Sequence, residues 1–90
     1  MNWRSYLPNP TYGTCSTGTE VQTILFPREK FTPLRAKAWA QNHGFRYGKV
    51  DTTGNFHRLR QHPPGSFIKG SFRTIPFGKS GIKAVVGCPR

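Results

Sequence analysis

Residues 30–45, KFTPLRAKAWAQNHGF, carry the one well-bounded helix signal in the chain and so constrain what everything else can form. Thr32 is a fitting N-cap, and Pro33 suits the first helical position, where its missing N–H costs nothing. Phe31, just before the cap, can staple back onto Ala36. Ala36, Trp39, Ala40 and His43 recur at i, i+3, i+4 and i+7 and make one continuous face, with Arg35, Lys37, Gln41 and Asn42 lying away from it. Gly44 supplies the left-handed cap. The spacing predicts a helix over 33–43. Since no second segment repeats this period, the other elements must be strands.

The strand signals follow. VQTILFP (21–27) is β-branched and apolar and ends at a proline. FRYGKV (45–50) and FHRLR (56–60) flank DTTGN, whose Asp51, Gly54 and Asn55 bring turn chemistry, so they read as a hairpin. HPPGSF interrupts the chain. SFRTIPF (71–77) and GIKAVVG (81–87) then flank GKSG as a second hairpin, with Ile82, Ala84 and Val86 alternating against Lys83 and Val85. The expected fold is α+β: one helix packed on a small, mainly antiparallel sheet of about five strands. Residues 21–90 make the single domain. Residues 1–20, rich in Pro, Gly, Thr and Ser, read as an irregular arm from which Trp3, Tyr6 and Leu7 can dock.

Ninety residues support one modest core. Only 34% of them are apolar, a shortage that two Trp, three Tyr and seven Phe partly offset. The net charge is +11, with 14 Lys and Arg set against Glu20, Glu29 and Asp51. Such a field attracts polyanions and makes their binding salt-sensitive. Residues 1–27 are neutral, 28–55 carry six cations and two anions, and 56–90 carry seven cations with no anion. The partner expected first is nucleic acid, DNA or RNA, bound from the C-terminal half. An acidic protein stands second.

Nothing approaches the roughly 18 consecutive apolar residues of a membrane span, and MNWRSYLPNP lacks the apolar core of a signal peptide. No membrane association and no secretion are expected, leaving the host-cell cytoplasm or a virion. Cys15 and Cys88 lie near opposite ends of the sequence and read as free thiols in a cytosolic chain.

In FHRLR taken as a strand, Phe56, Arg58 and Arg60 share one face while His57 and Leu59 share the other. Two arginines about 7 Å apart can meet successive phosphates. Arg73 and Lys83 on neighbouring strands would extend that surface, Lys69 and Lys79 would add contacts from loops, and Phe56, Phe67 or Phe72 could stack on unpaired bases. Against this, the aromatic residues of so small a domain mostly fill its core, and cations on strands also guard edges.

GKS at 78–80 resembles the end of a phosphate-binding loop, yet Arg73 stands where that motif needs glycine and no helix pattern follows, so a strand-to-strand turn is the better account. His43, His57 and His62 show no convergence, and the cysteines lack zinc spacing, so neither a metal nor another cofactor is expected. Three scattered carboxylates do not make a metal-dependent nuclease. No serine sits in a nucleophile elbow. No catalytic residue is assigned and no enzyme is expected, although a nuclease built on His57 or His62 beside Arg and Lys is the remaining catalytic alternative. Packing of Trp39 on the sheet is preferred to a DNA-reading role for the helix, because no second helix completes a helix-turn-helix.

Trp39, His43, Gly44 and Phe45, then Arg58 to Gln61, then Gly81 to Val85 make a combination that resembles a small uncharacterised module of tailed-phage and prophage proteins. The likeness spans roughly residues 24–87. It implies a viral or mobile-element origin, with genome binding, inhibition of a host nucleic-acid enzyme, or a minor place in the virion as the roles to expect. It implies no catalytic residue.

Overall fold

The computed structural model describes Cys15, residues 18–78 and residues 80–90. Among the described residues, five strands and one helix follow in the order β1 (Glu20–Pro27), α1 (Pro33–Asn42), β2 (Asp51–Thr53), β3 (Phe56–Arg60), β4 (Arg73–Pro76) and β5 (Lys83–Gly87), with a 3-10 turn at Pro64–Ser66. The strands form one sheet in the order β2-β3-β1-β5-β4, and each neighbouring pair is antiparallel. This is the expected α+β architecture.

Local chemistry bounds the helix as anticipated. The Thr32 hydroxyl accepts from the Arg35 amide at 3.1 Å, and Pro33 opens the first turn. At the other end the Phe45 amide donates to the Ala40 carbonyl (2.8 Å) and the Gly44 amide to that of Gln41 (3.3 Å). That pair of bonds is a Schellman closure, made possible by Gly44 at φ +78. The closure also aims Phe45 back into the core.

Central β1 is buried from Val21 through Phe26. On its helix side Ile24 faces Leu59 of β3 and Ala84 of β5, which in turn faces Ile75 of β4. Ala36 and Ala40 of α1, both fully buried, close over this layer. Trp39 packs among Phe26, Phe45 and Phe77 at centroid distances of 5.6, 6.0 and 5.7 Å. Such ring clusters let few residues bury much area. Phe31 lies edge-on to Phe26 at 5.3 Å.

Two expectations are corrected here. Residues 45–50 are not a strand; the hairpin exists, but its first strand is Asp51–Thr53. The loop shrinks to Gly54–Asn55, which sets Thr53 opposite Phe56. Gly54 takes φ +56 in the first central position, as a type II′ turn requires. Upstream, the carboxamide of buried Gln61 substitutes for a strand partner: its Oε1 accepts from the Arg46 amide (2.7 Å) and its Nε2 donates to the Arg46 carbonyl (3.0 Å).

Cys15 and Cys88, expected as free thiols, form a disulfide. The cause is topological. Antiparallel pairing sets Glu20 of β1 opposite Gly87 of β5, so the chain entering β1 runs beside the chain leaving β5. Apart from Cys15 and residues 18–20, the expected arm, with Trp3, Tyr6 and Leu7, lies outside the described residues.

Candidate functional site

The sheet face turned away from α1 collects the cations of β3 and β5. Because directly opposed residues of an antiparallel pair project to the same side, the ladder defines rows across this face. One row runs Asp51, Arg58, Leu25, Lys83, Pro76. The next runs Arg60, Thr23, Val85, Thr74. Arg58, Arg60 and Lys83 are exposed, while Leu25 and Thr23 between them are buried. Arg58 and Lys83 stand two strands apart, about 10 Å by sheet spacing.

The side chains are partly fixed. Arg58 Nε donates to Thr53 Oγ1 at 2.9 Å, which holds the near edge of the guanidinium on β2 and directs the other edge away from it. Lys83 Nζ lies 5.8 Å from the centroid of the Phe56 ring, within cation–π range. Asp51 is a carboxylate of this face, and Lys49 Nζ stands 3.8 Å from it. The contact is well exposed and adds little stability.

The six expected phosphate-binding residues do not all converge. Arg58, Arg60 and Lys83 share the outer face. Arg73 does not: it opposes Val86, whose other partner is Val21, so the pleat puts it on the helix side of edge strand β4. Lys69 sits on a turn closed by the Ser71 amide bonding to the Ile68 carbonyl (3.1 Å), beyond the Gly87 end of β5. Lys79 lies outside the described residues. The sequence pattern gave no sign of Arg28 and Lys30, which occupy the turn between β1 and α1 and border one recess with Lys83.

The aromatic residues divide as well. Phe67 is 2% exposed and packs in the interior, Phe56 is half-buried, and Phe72 is exposed.

The histidines stand apart, each with its own partner. His57 is buried; its Nε2 faces the Phe31 carbonyl (2.9 Å) and its Nδ1 the Thr52 hydroxyl (2.7 Å). A carbonyl only accepts, so Nε2 carries a proton, while Nδ1 and the Thr52 hydroxyl share the second bond. His43 Nδ1 donates to the Trp39 carbonyl (2.7 Å) while its ring stacks on the indole at 3.9 Å. His62 Nε2 lies 3.5 Å from Glu20 Oε2. Among the described residues no three His, Cys, Asp or Glu gather as a metal site, and no helix is long and apolar enough to cross a membrane. Gly78, Ser80 and Gly81 lie between β4 and β5, where the Phe77 amide donates to the Ile82 carbonyl (2.7 Å).

What this surface can do chemically is hold anions: exposed guanidinium and ammonium groups on a rigid ladder, with Asp51 at its edge. Comparison with protein-family models, with curated proteins and with solved structures gave no match.

Proposed function

We propose that this chain is a small non-enzymatic protein that binds nucleic acid through phosphate contacts, largely independent of sequence. The observation that carries the reading is the joint exposure of Arg58, Arg60 and Lys83 on one sheet face in a chain of net charge +11. Phosphate contacts of this kind position a protein without reading bases. Lys69, Arg73 and Lys79 act as outlying charges that raise the local concentration of the polyanion. Phage origin is part of the proposal, and of the two expected locations the virion suits the Cys15–Cys88 disulfide better, since the cytosol keeps thiols reduced.

The second reading is a protein–protein module whose basic face meets an acidic partner, as an inhibitor of a host nucleic-acid enzyme or a virion component. Exposed Ile68 and Phe72, on either side of Lys69, favour it, because apolar groups beside cations suit protein surfaces better than phosphates.

A gel-shift at physiological salt with single-stranded and duplex DNA and with RNA separates the two. The nucleic-acid reading expects a shift at micromolar protein that fades steeply as salt rises. No shift with any of the three rejects it in favour of the acidic partner.

A further inference from the structure

A recess of about 700 Å³ opens where the turn after β1 meets the start of β5, bordered by Arg28, Lys30, Phe56 and Lys83 with Asn55, Glu29 and Gly81. Its size is that of a small-ligand site. Three cations face one carboxylate, and among the described residues none of the three is ion-paired to Glu29.

The cations are held in place from different sides. The Arg28 amide donates to the Asn55 carbonyl (2.8 Å) and its Nη1 to the Gly54 carbonyl (3.4 Å), so the guanidinium lies against the β2–β3 turn. Lys83 is set over the Phe56 ring. Lys30 reaches across Gly81: a Cβ at that position would stand 3.7 Å from its Nζ and 3.1 Å from Pro27 Cγ. A side chain there would crowd Pro27 and touch Lys30 at ordinary contact distance, and φ +79 also favours glycine. The recess thus brings two cations of the β1–α1 turn and one of β5 to one place, beside Asn55 and Phe56 of the β2–β3 hairpin.

We infer that this recess binds a phosphomonoester dianion, with Lys30, Lys83 and Arg28 around the phosphate and Asn55 and the edge of Phe56 beside the attached sugar. A monoester carries nearly two charges at neutral pH, which three cations and one carboxylate match. An internal phosphodiester carries one charge and needs an exit for the chain on both sides. The same chemistry is offered by the terminal phosphate of a nucleic-acid strand and by a free nucleotide. The strand-end source rests on the nucleic-acid reading above; the recess itself does not.

The test is a titration of isotope-labelled protein with thymidine 5′-monophosphate and, at matched ionic strength, with thymidine. Saturating amide shifts at Arg28, Lys30, Gly81 and Lys83 are expected with the monophosphate alone. Absence of localised shifts, or equal shifts with thymidine, overturns the proposal. The Lys30→Gln variant, which removes a charge from an exposed side chain, should bind the monophosphate about tenfold more weakly, the worth of one charge-assisted contact, with unchanged thermal unfolding. Unchanged affinity in that variant removes Lys30 and with it the proposed site. Single-stranded oligonucleotides with a 5′-phosphate or a 5′-hydroxyl then identify the source. A preference of about tenfold for the phosphate, abolished in Lys30→Gln, assigns the strand end. Equal binding of both oligonucleotides assigns the free nucleotide. Failure of both to bind while the monophosphate saturates refutes the nucleic-acid reading and leaves the recess standing.

Discussion

Cys15 and Cys88, 73 positions apart in the sequence, have Cα atoms 5.3 Å apart and are joined by a disulfide that closes the chain around the whole sheet. Glu20 and Gly87, directly opposed on β1 and β5, lie just inside the bond. The link therefore ties the approach to the central strand to the exit from its neighbour, where the two would otherwise fray.

Reduction should weaken the domain. A cross-link removes freedom from the unfolded chain, and for a loop this long the entropic model gives about 4 kcal/mol. A drop of that size lowers the melting temperature of a domain this small by roughly 20 °C. Thermal unfolding followed by circular dichroism, with and without reductant, measures it, and the Cys15→Ser/Cys88→Ser double variant should reproduce the reduced protein. An unchanged melting temperature would show that the cross-link contributes nothing to the fold.

How much of this was legible depends on how local each signal is. Thr32, Pro33 and Gly44 act within one helical turn, so α1 was readable to within a residue. Alternation over Ile82–Val86 and over Phe56–Arg60 likewise fixed which residues face the helix. The disulfide was hidden because it follows from β1 pairing with β5, a long-range choice that no spacing of cysteines encodes. The early start expected for β2 failed because Gln61, a side chain, does the pairing that a strand was expected to do. Arg73 is a different case: Ile75 and Phe77 share its parity and are buried, so a period-two count along SFRTIPF already puts it on the helix side. The cluster of Arg28 and Lys30 with Lys83 depends on how three turns meet, which only the assembled sheet defines.

His57 acts as an internal strut between β3, Thr52 of β2 and the Phe31 carbonyl before α1. Replacing it by leucine keeps apolar volume but leaves the Phe31 carbonyl without its partner, while the exposed Thr52 hydroxyl turns to water. An orphaned carbonyl costs roughly 1–3 kcal/mol. His57→Leu should therefore lose about 2 kcal/mol in urea unfolding, whereas His62→Ala, at a half-exposed site, should stay near wild type. Any loss of a nuclease-like activity on changing His57 has to be read against that loss of fold. A His57→Leu variant as stable as wild type would remove the strut role.

Gln61 invites a similar test at the other end of β3. Its carboxamide bonds both backbone groups of Arg46 and also donates to the Leu59 carbonyl at 3.3 Å. Gln61→Ala should cost about 2 kcal/mol and speed hydrogen exchange at the Arg46 amide, since the segment leaving the helix loses its anchor. Gln61→Glu should be nearly as harmful, because a carboxylate cannot donate to the Arg46 carbonyl. Retained protection of that amide in either variant would show that the segment is held by something else.

The two faces of the sheet make the sharpest claim about binding. Arg58 and Arg60 share the outer face with Lys83, whereas Arg73, on edge strand β4, is turned to the helix side by its pairing with Val86. If phosphates lie along the outer face, Arg58→Ala/Arg60→Ala should weaken nucleic-acid binding and reduce the slope of log K against log salt by about 1.8 on duplex and about 1.4 on single strands, one step for each phosphate no longer neutralised. Arg73→Ala should change the slope far less, acting at long range through net charge. Fluorescence anisotropy across a salt series, on both single-stranded and duplex probes, reads both slopes directly. Equal losses from the two variants would mean that the polyanion senses total charge and no particular face. A larger loss from Arg73→Ala would move the binding surface to the β4 edge, beside Phe72 and the turn that carries Lys69.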